Sequence, residues 1–370
     1  MASFFKSLHL PSLSSLPGLP FLSSYVGVDI GTTSIKAVEI TKADPRPRLI
    51  NYALLESQGS LLRTNTAFQT SALKLFEQEI ANFLKILVEK FQPRTRNAVA
   101  SLPLFSSFTT ILSLPDMSRD ELEKAITFQA RQYLPMPISE VALDWSKVSE
   151  YEDDKGFKYV QVLLVSVPLE HIKKYQRIFK AAGLTLTALE VEGLSLVRGL
   201  IGIDQTPTCI VDIGGRSTNI IIADQGQPKF MSQSDFASAA LTQALASALS
   251  INPLRAEELK CERGIIGTGP NYELSTIMLP FLDAIISEVK RVDFSYKSQF
   301  PSARKIERVI LSGGGANLLG IQKYFEGQLG IPTVKAHPIA QFSYDSAIEP
   351  IVPALSSEMS VALGAALRQF

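Results

Sequence analysis

An apolar run followed by Asp-Ile-Gly and small hydroxylated residues occurs twice in this chain. The first copy, YVGVDIGTTSIKAVEI, runs from Tyr25 to Ile40, and the second, CIVDIGGRSTNIII, runs from Cys209 to Ile222. Their aspartates, Asp29 and Asp212, lie 212 − 29 = 183 positions apart, which is far longer than the period of a solenoid repeat. The duplication therefore predicts two related halves of one larger protein, each opening with a strand–turn–strand unit.

Length and composition agree with a two-part globular chain. A chain of 370 residues exceeds the size at which a single core stops growing. Lys plus Arg and Asp plus Glu number 36 each, so no net charge favours nucleic acid as a partner. The two cysteines, Cys209 and Cys261, are typical of buried thiols in a reducing compartment, and the three histidines lack the spacing of metal ligands.

Two apolar segments could be mistaken for membrane segments. Residues 1–24 resemble a signal peptide, but three prolines interrupt them, which favours a flexible tail over a membrane-surface anchor. The uncharged span between Arg96 and Asp116 contains Pro103 and six Ser or Thr residues, so it predicts two strands. We therefore expect a chain that does not cross the membrane.

The remaining elements alternate between strands and helices. Apolar periodicity predicts helices over residues 71–91 and 279–296, and Ser118 with Glu121 has the spacing of a capping box that opens a third helix. A buried strand, RVILS, leads into three glycines, and SVALGAALRQF predicts a C-terminal helix. The pattern indicates an α/β fold of two related lobes, each opening with a β-meander.

The two Asp-Ile-Gly turns carry the residue types of a phosphate site. Such a site needs backbone N–H groups in a concave turn, hydroxyl donors, and a carboxylate to hold a hydrated magnesium ion. One such turn is also an ordinary strand end, but two of them with a glycine triplet favour a nucleotide cleft. The candidates are Asp29, Gly31, Thr32, Thr33, Ser34 and Lys36 in the first turn, Asp212, Gly214, Gly215, Ser217 and Thr218 in the second, and Gly313, Gly314 and Gly315 in the triplet.

This order of motifs resembles the actin, Hsp70 and sugar-kinase superfamily, in which two lobes close on ATP and Mg²⁺. The segment SLPLFSSFTTILSLPDMSRDELEKAITFQARQYLPMPISEVALDW resembles the extra subdomain of the PilM family, actin-like cytoplasmic proteins of type IV pilus assembly. AGLTLTALEVEGLSLVRGL and DIGGRSTNI resemble the same family, so that the similarity covers residues 25–370. The resemblance implies an actin-like ATPase fold with an inserted α+β subdomain of the FtsA and PilM type.

The resemblance also implies domain limits. These are a tail over 1–24, a first lobe over 25–95 and 165–205 with the helix at 358–370 packing back on it, an inserted partner-binding subdomain over 96–164, and a second lobe over 206–357.

The resemblance further implies a role for each candidate residue. Asp29 and Asp212 would hold Mg²⁺ through water, and Glu192 would orient a water as a weak general base. The outer phosphates would meet Thr32, Thr33, Ser34 and Lys36 on one side and Gly214, Gly215 and Ser217 on the other. Gly313, Gly314 and Asn317 would line the adenosine pocket, and Glu288 with Arg291 would lie near the ribose or base, unless they form a solvated i, i+3 pair. ATP binding with slow or no ATPase activity is the activity implied.

As a partner, the resemblance implies the cytoplasmic tail of a PilN-like inner-membrane protein, docked beside the inserted subdomain. Residues Leu102–Leu114 and the helix over 118–134 are the candidates for that groove. Such a protein would be cytoplasmic and peripheral to the inner membrane, with pilus ATPases as further candidate partners and a homodimer or filament left open. Two alternatives remain: an FtsA-like division protein, which would carry a C-terminal membrane helix where this chain ends at Phe370, and a small-molecule kinase, whose sugar-binding cluster is not evident.

Overall fold

Two five-stranded sheets with the same strand order form the body of the molecule. The computed structural model describes residues 24–56, 77–266, 272–300 and 303–370. The first sheet has the order β3-β2-β1-β4-β8 and the second the order β11-β10-β9-β12-β13. In each sheet the first three strands in the chain form an antiparallel meander, and two later strands lie parallel to the first of them. The strands are β1 Ser24–Ile30, β2 Ser34–Thr41, β3 Arg48–Glu56, β4 Asn97–Leu102, β8 Thr185–Val191, β9 Thr208–Ile213, β10 Thr218–Asp224, β11 Gln227–Ser234, β12 Arg308–Ser312 and β13 Thr333–Lys335.

The duplicated strand order confirms the prediction of two related lobes. Val26 and Val28 of β1 and Ile210 and Val211 of β9 are fully buried, because helices cover both faces of these central strands. The helices are α1 Glu77–Phe91, α2 Arg119–Tyr133, α3 Leu169–Ala181, α4 Glu192–Leu200, α5 Ser238–Leu249, α6 Pro253–Arg263, α7 Tyr272–Gln299, α8 Ile321–Leu329, α9 Val352–Glu358 and α10 Ser360–Ala366.

Two helices differ in extent from their predictions. The helix predicted over 71–91 is described from Glu77 onwards, and its earlier part lies outside the described residues. The helix predicted over 279–296 lies inside the longer α7, which continues through Pro280. Proline is typical of a first helical turn, so the sequence pattern placed the start of α7 too late.

The inserted subdomain is a three-stranded antiparallel sheet covered by α2. Its strands are β5 Phe108–Pro115, β6 Val141–Glu152 and β7 Lys158–Pro168, in the order β5-β7-β6. It has its own core, in which Leu112 and Leu114 of β5 meet Leu122 and Ile126 of α2. The predicted capping box is present, since the Glu121 carboxylate accepts the Ser118 N–H at 3.0 Å.

The predicted limits of this subdomain, 96–164, need correction. Strand β4 pairs with β1 and β8 and so belongs to the first lobe, whereas β7 stays in the inserted sheet as far as Pro168. The insert therefore follows β4 and ends with β7. The boundary between β4 and the insert cannot be predicted from the sequence, because β4 and β5 lie in one uncharged stretch.

Two side-chain bonds join the inserted subdomain to the second lobe. A bulge between Lys147 and Ser149 interrupts the β6–β7 register, and the carbonyl of Val148 at this point accepts a hydrogen bond from the buried Lys229 Nζ on β11. In addition, Gln161 Nε2 donates to the Gln299 carbonyl at the end of α7, at 2.8 Å. The insert is thus covalently part of the first lobe and hydrogen-bonded to the second.

The chain after β13 returns to the first lobe earlier than predicted. Ile339, Phe342 and Val352 share a buried cluster with Val38 and Ile40 of β2. The second lobe therefore ends near β13 and not at residue 357. Helix α10 packs directly on β1, because a Cβ on Gly27 would lie 2.0 Å from the Ala362 carbonyl oxygen.

No single helix among the described residues is long and apolar enough to cross a membrane. The segments Ser346–Glu358 and Ser360–Gln369 pass that test only as a pair, and the two are bent by 88°. Every residue of α10, which lies in the second of these segments, is buried.

A buried ion cluster ties the C-terminus to the first lobe. Glu190 of β8 is fully buried and accepts hydrogen bonds from Arg198 Nη2 at 2.8 Å, Arg368 Nη1 at 2.6 Å and Ser195 Oγ at 2.6 Å. Burial opposes ionisation of Glu190, but Arg198 and Arg368 outweigh it and lower the pKa of this carboxyl. The carboxylate thus holds together β8, α4 and the C-terminal turn.

We expect Glu190→Gln to lower the free energy of unfolding by about 3 kcal/mol at pH 7, because it leaves two guanidinium groups without their shared carboxylate. A carboxyl with a lowered folded-state pKa contributes stability that is present above its unfolded pKa and is lost as the pH falls through the folded value. The difference between the two proteins should therefore shrink in acid, as urea unfolding at several pH values would measure. Glu258→Gln, which removes an exposed partner of Arg255, should change stability by less than about 0.5 kcal/mol; equal effects would contradict this account.

Candidate functional site

The two Asp-Ile-Gly turns have the same backbone geometry. The Gly31 N–H donates to the Ser34 carbonyl at 2.9 Å, and the Gly214 N–H donates to the Ser217 carbonyl at 2.9 Å. A Cβ would lie 3.1 Å from the Ser34 oxygen if placed on Gly31 and 2.9 Å from the Ser217 oxygen if placed on Gly214. Each lobe therefore presents the same tight turn between its first two strands.

The aspartates of the two turns also have equivalent surroundings. Asp29 on β1 lies level with Ser101 on β4, and Asp212 on β9 lies level with Ser312 on β12. Ser101 Oγ donates to Asp29 Oδ1 at 3.1 Å, and the Ser312 hydroxyl also hydrogen-bonds Asp212. Sequence reasoning missed both serines, although each lies at or next to the end of a buried strand that is parallel to an aspartate-bearing strand.

One lysine lies among these carboxylates. Lys36 Nζ is 3.6 Å from Asp29 Oδ2. Burial opposes the charge of Lys36, but Asp29, Glu358 and Asp212 outweigh burial and raise its pKa. Glu358, at the end of α9, was not predicted and comes from a segment 329 positions (358 − 29) after Asp29.

Glu192 is the fourth carboxyl group of the cleft. It is the first residue of α4 and accepts the Leu104 N–H at 2.7 Å. Burial, with the nearby Asp29 and Asp212, raises the pKa of Glu192 to about 8. At neutral pH this side chain is mostly protonated, which makes it a poor general base.

The four carboxyl groups and Lys36 line an inner cavity of about 50 Å³. Their negative charge is only partly offset by the lysine, and burial raises the pKa of Asp212 and of Glu358. Oxygen ligands of this kind suit Mg²⁺, which keeps several waters and binds phosphate oxygens as well. Among the described residues, no three His, Cys, Asp or Glu side chains form a group that could hold a metal ion directly.

A larger outer cavity of about 430 Å³ continues from the inner one, and both are lined by Thr33, Ser34 and Lys36 of the first turn and by Gly214 and Gly215 of the second. Its far end is formed by α6, α7 and α8 through Glu257, Lys260, Leu282 and Ile321, and by Gly314, Gly315 and Asn317 of the third loop. Asn317 is held by hydrogen bonds to Ala354 at 3.2 Å and Ser357 at 3.1 Å. The two cavities thus adjoin at the two turns, the smaller beside the carboxyl groups and the larger beside α6 and the third loop.

Helix α6 supplies a polar cluster that the sequence analysis did not single out. Lys260 Nζ donates to Glu257 Oε2 at 2.6 Å, Ser238 Oγ at 2.7 Å and Thr242 Oγ1 at 2.9 Å. Because Glu257 and Lys260 lie at i, i+3 they share one face of the helix. In the sequence, Glu257 and Lys260 belong to a charged run that is typical of an exposed helix face. The sequence therefore does not predict them as site residues.

The structure brings together most of the predicted residues and leaves out three. Thr218 is buried and donates its hydroxyl to the Phe236 carbonyl at 2.6 Å, so it supports the chain between β11 and α5. Glu288 and Arg291 line neither cavity; Arg291 Nε donates to Glu288 at 2.8 Å and its Nη2 reaches Ser232 on β11 at 3.3 Å. The two residues form the i, i+3 pair that the sequence analysis gave as the alternative, and the charged residues of α6 that line the outer cavity are Glu257 and Lys260.

The turns of the two lobes approach each other closely. A Cβ on Gly215 would lie 2.4 Å from Thr33 Cγ2 and 2.5 Å from Thr33 Oγ1. A larger residue at 215 would therefore displace the Thr33 side chain or hold the two turns apart.

Two lobes of equal topology, facing each other across a cleft with an aspartate at each side, define the actin-like ATPase fold. Solved structures with this fold include the ethanolamine utilization protein EutJ from Carboxydothermus hydrogenoformans, with 18% identity over 95% of this chain and 91% of that chain and a TM-score of 0.54. The MamK double helical filament matches with 14% identity over 94% and 98% of the two chains and a TM-score of 0.53.

The family follows from the sequence itself. The family model described as type IV pilus assembly protein PilM matches residues 27–370, and the chain belongs to this family. The structure titled "PilM-PilN type IV pilus biogenesis complex" shares the fold with 23% identity, covers 94% of this chain and 98% of that chain, and gives a TM-score of 0.76. The predicted resemblance is confirmed, and the match favours it over an FtsA-like protein or a small-molecule kinase.

Proposed function

We propose that this chain is an ATP-binding scaffold of the type IV pilus inner-membrane platform. It binds the cytoplasmic tail of a PilN-like membrane protein at its inserted subdomain, and nucleotide in the cleft alters that binding. The protein is cytoplasmic in this proposal and reaches the membrane through its partner. Family membership supports the pilus role, and the geometry of the cleft supports the nucleotide.

The observation that carries the proposal is the connection between the cleft and the insert. Pro103 and Phe105, which lead from β4 into the inserted subdomain, line the inner cavity. Between them, the Leu104 N–H donates to Glu192. A group that enters the inner cavity therefore touches the segment that carries the insert, so occupancy of the cleft is able to bias the position of the insert.

Different residues of the cleft bind different parts of Mg-ATP. The turn N–H groups and hydroxyls at 31–34 and 214–217 face the phosphates from the two lobes, with Lys36 adding positive charge. Asp29 and Asp212 would hold the hydrated Mg²⁺, which supplies charge neutralisation between the phosphates and the carboxylates. The outer cavity accommodates the nucleoside between α6 and the third loop.

This division of roles favours binding over fast turnover. Glu192 is the residue placed to accept a proton from water, but burial together with Asp29 and Asp212 raises its pKa, which favours the protonated form in the cleft without nucleotide. Its Oε1 also accepts the Leu104 N–H. We therefore expect a slow or absent ATPase activity and a regulatory use of the nucleotide.

Calorimetric titration with a peptide copying the N-terminal cytoplasmic tail of the PilN-like protein from the same organism tests the proposal. We expect saturable one-to-one binding whose dissociation constant changes at least about fivefold with Mg-ATP, a typical coupling between two sites. Asp212→Asn should remove the effect of Mg-ATP and leave binding without nucleotide unchanged. Absence of binding with and without nucleotide would disprove the pilus scaffold, and equal binding in both states would disprove the nucleotide control alone.

A further inference from the structure

The two aspartates of the cleft differ in the residue that lies opposite each of them on the neighbouring strand. Lys36 on β2 lies opposite Asp29 on β1, whereas Asn219 on β10 lies opposite Asp212 on β9. The first turn therefore has a cation beside its aspartate, and the second turn has a neutral amide. Among the described residues, Lys36 is the one cationic side chain that lines the inner cavity.

The positive charge of Lys36 is already opposed by carboxylates of the protein. Its Nζ lies 3.6 Å from Asp29 Oδ2, and Glu358 is close enough for its charge to act on Lys36 as well. The other lysine of the cleft, Lys260, lines the outer cavity and donates to Glu257 Oε2 at 2.6 Å. Phosphates that enter the two cavities therefore meet lysines whose charge a carboxylate already offsets.

Glu358 lies at the junction of the two cavities. Of the carboxyl groups in the cleft, it is the one that lines both the inner and the outer cavity. A Cβ on Gly314 would lie 3.7 Å from Glu358 Oε1, so the carboxylate lies beside the third loop. A molecule that extends from one cavity into the other must therefore pass this carboxylate.

The backbone on both sides of Glu358 is held by buried contacts. The carbonyl of Ser357 accepts the Gly313 N–H at 2.9 Å. The next residue, Met359, is fully buried, and its N–H donates to the Leu355 carbonyl at 2.9 Å. Packing thus holds the half-buried carboxyl group of Glu358 in place at the junction.

We propose that Glu358 makes nucleotide binding in this cleft depend on a divalent cation. The inference rests on the proposed nucleotide binding and names the form of nucleotide that the cleft selects, the metal complex over the free polyphosphate anion. The carboxylate offsets the charge of Lys36 and repels phosphate oxygens at the junction, because solvent and salt screen like charges only weakly in a partly buried site. A divalent cation such as Mg²⁺ neutralises the phosphates and prefers carboxylate and phosphate oxygens as ligands.

Calorimetric titration of the full-length protein with ATP, once in excess Mg²⁺ and once in EDTA, tests the inference. The ratio of the dissociation constant in EDTA to that in Mg²⁺ measures the metal dependence. We expect Glu358→Gln to lower this ratio about tenfold, chiefly through tighter binding of metal-free ATP, because a like charge is removed from the junction. An unchanged ratio would overturn the inference.

Adenosine, which carries no phosphate, separates a charge effect from a contact with the nucleoside. In competition with ATP, adenosine should bind Glu358→Gln as tightly as it binds the wild type. Weaker binding of adenosine to the variant would assign Glu358 to the sugar or base, and the inference would be abandoned.

Two further variants control for charge and for size. Glu326→Gln removes the same charge from an exposed position of α8 and should keep the wild-type ratio. Glu358→Asp retains the charge and should keep most of the metal dependence; a drop as large as that of Glu358→Gln would contradict the electrostatic account. If the wild type binds ATP equally with and without Mg²⁺, this inference alone fails. If it binds ATP in neither condition, the proposed nucleotide binding fails and the inference fails with it.

Discussion

Gly364→Ala is expected to lower the free energy of unfolding by about 1–3 kcal/mol. Alanine normally stabilises a helix interior relative to glycine by up to about 1 kcal/mol, so the sign is reversed here. The reason is that α10 crosses α4 at this glycine: an added Cβ would lie 1.9 Å from the Ser195 carbonyl oxygen. Because the obstructing atom is backbone, it cannot rotate away, and α10 is held on its other side by Gly27 of β1. Overpacking of this kind costs about 1–3 kcal/mol, occasionally more.

Urea unfolding followed by circular dichroism measures the effect, and Gly327→Ala is the matched control. Gly327 lies in α8, and apart from the backbone of its own helix and its chain neighbours no atom lies within 4 Å of the place where its Cβ would be. This second variant should be more stable than the wild type by up to about 1 kcal/mol. If Gly364→Ala unfolded at the wild-type midpoint, the packing of α10 between β1 and α4 would have to be abandoned.

Asp212→Asn should change stability in opposite directions with and without ligand. Without ligand the variant should melt at a higher temperature, because burial and the neighbouring Asp29 disfavour the charged form of Asp212. With Mg-ATP the wild type should gain about 2.7 kcal/mol at a concentration of 100 times its dissociation constant. The variant should lose nearly all of this gain, since one of the two carboxylates placed to hold the hydrated ion is absent.

Thermal melts with and without Mg-ATP measure both effects in one experiment. Asp235→Asn, at an exposed position of the second lobe, provides the same chemical change outside the cleft and should behave as the wild type in both conditions. An Asp212→Asn protein that kept the full stabilisation by Mg-ATP would remove Asp212 from the site. A variant that melted lower without ligand would instead assign Asp212 a structural role.

The parts of the site that the sequence predicted are those built by local backbone geometry. Each Asp-Ile-Gly turn needs only its own four or five residues, so its pattern is complete in the sequence. Glu358 and Lys260 are different, because the fold brings them to the cleft from helices far along the chain. Nothing next to them in the sequence marks them, and their charged or helical surroundings resemble a solvated surface.

Thr218 and Arg291 illustrate the opposite error. Thr218 follows the second turn and looks like another phosphate hydroxyl, but strand alternation turns it towards the Phe236 carbonyl. Arg291 lies on the helix that borders the cleft, and the helical period carries it to the side facing β11. Thr218 was chosen for its place after the turn and Arg291 for the family resemblance, and in both cases the element was predicted correctly and the direction of the side chain incorrectly.

The bonds from Lys229 to Val148 and from Gln161 to Gln299 have a mechanical consequence. Two lobes joined only along one side would open about a single hinge on that side. Here the insert is covalently part of the first lobe and hydrogen-bonded to the second, so it connects the two lobes at a second place. Opening of the cleft must then either break these hydrogen bonds or move the insert together with the second lobe. A partner bound to the insert would therefore influence how far the cleft opens.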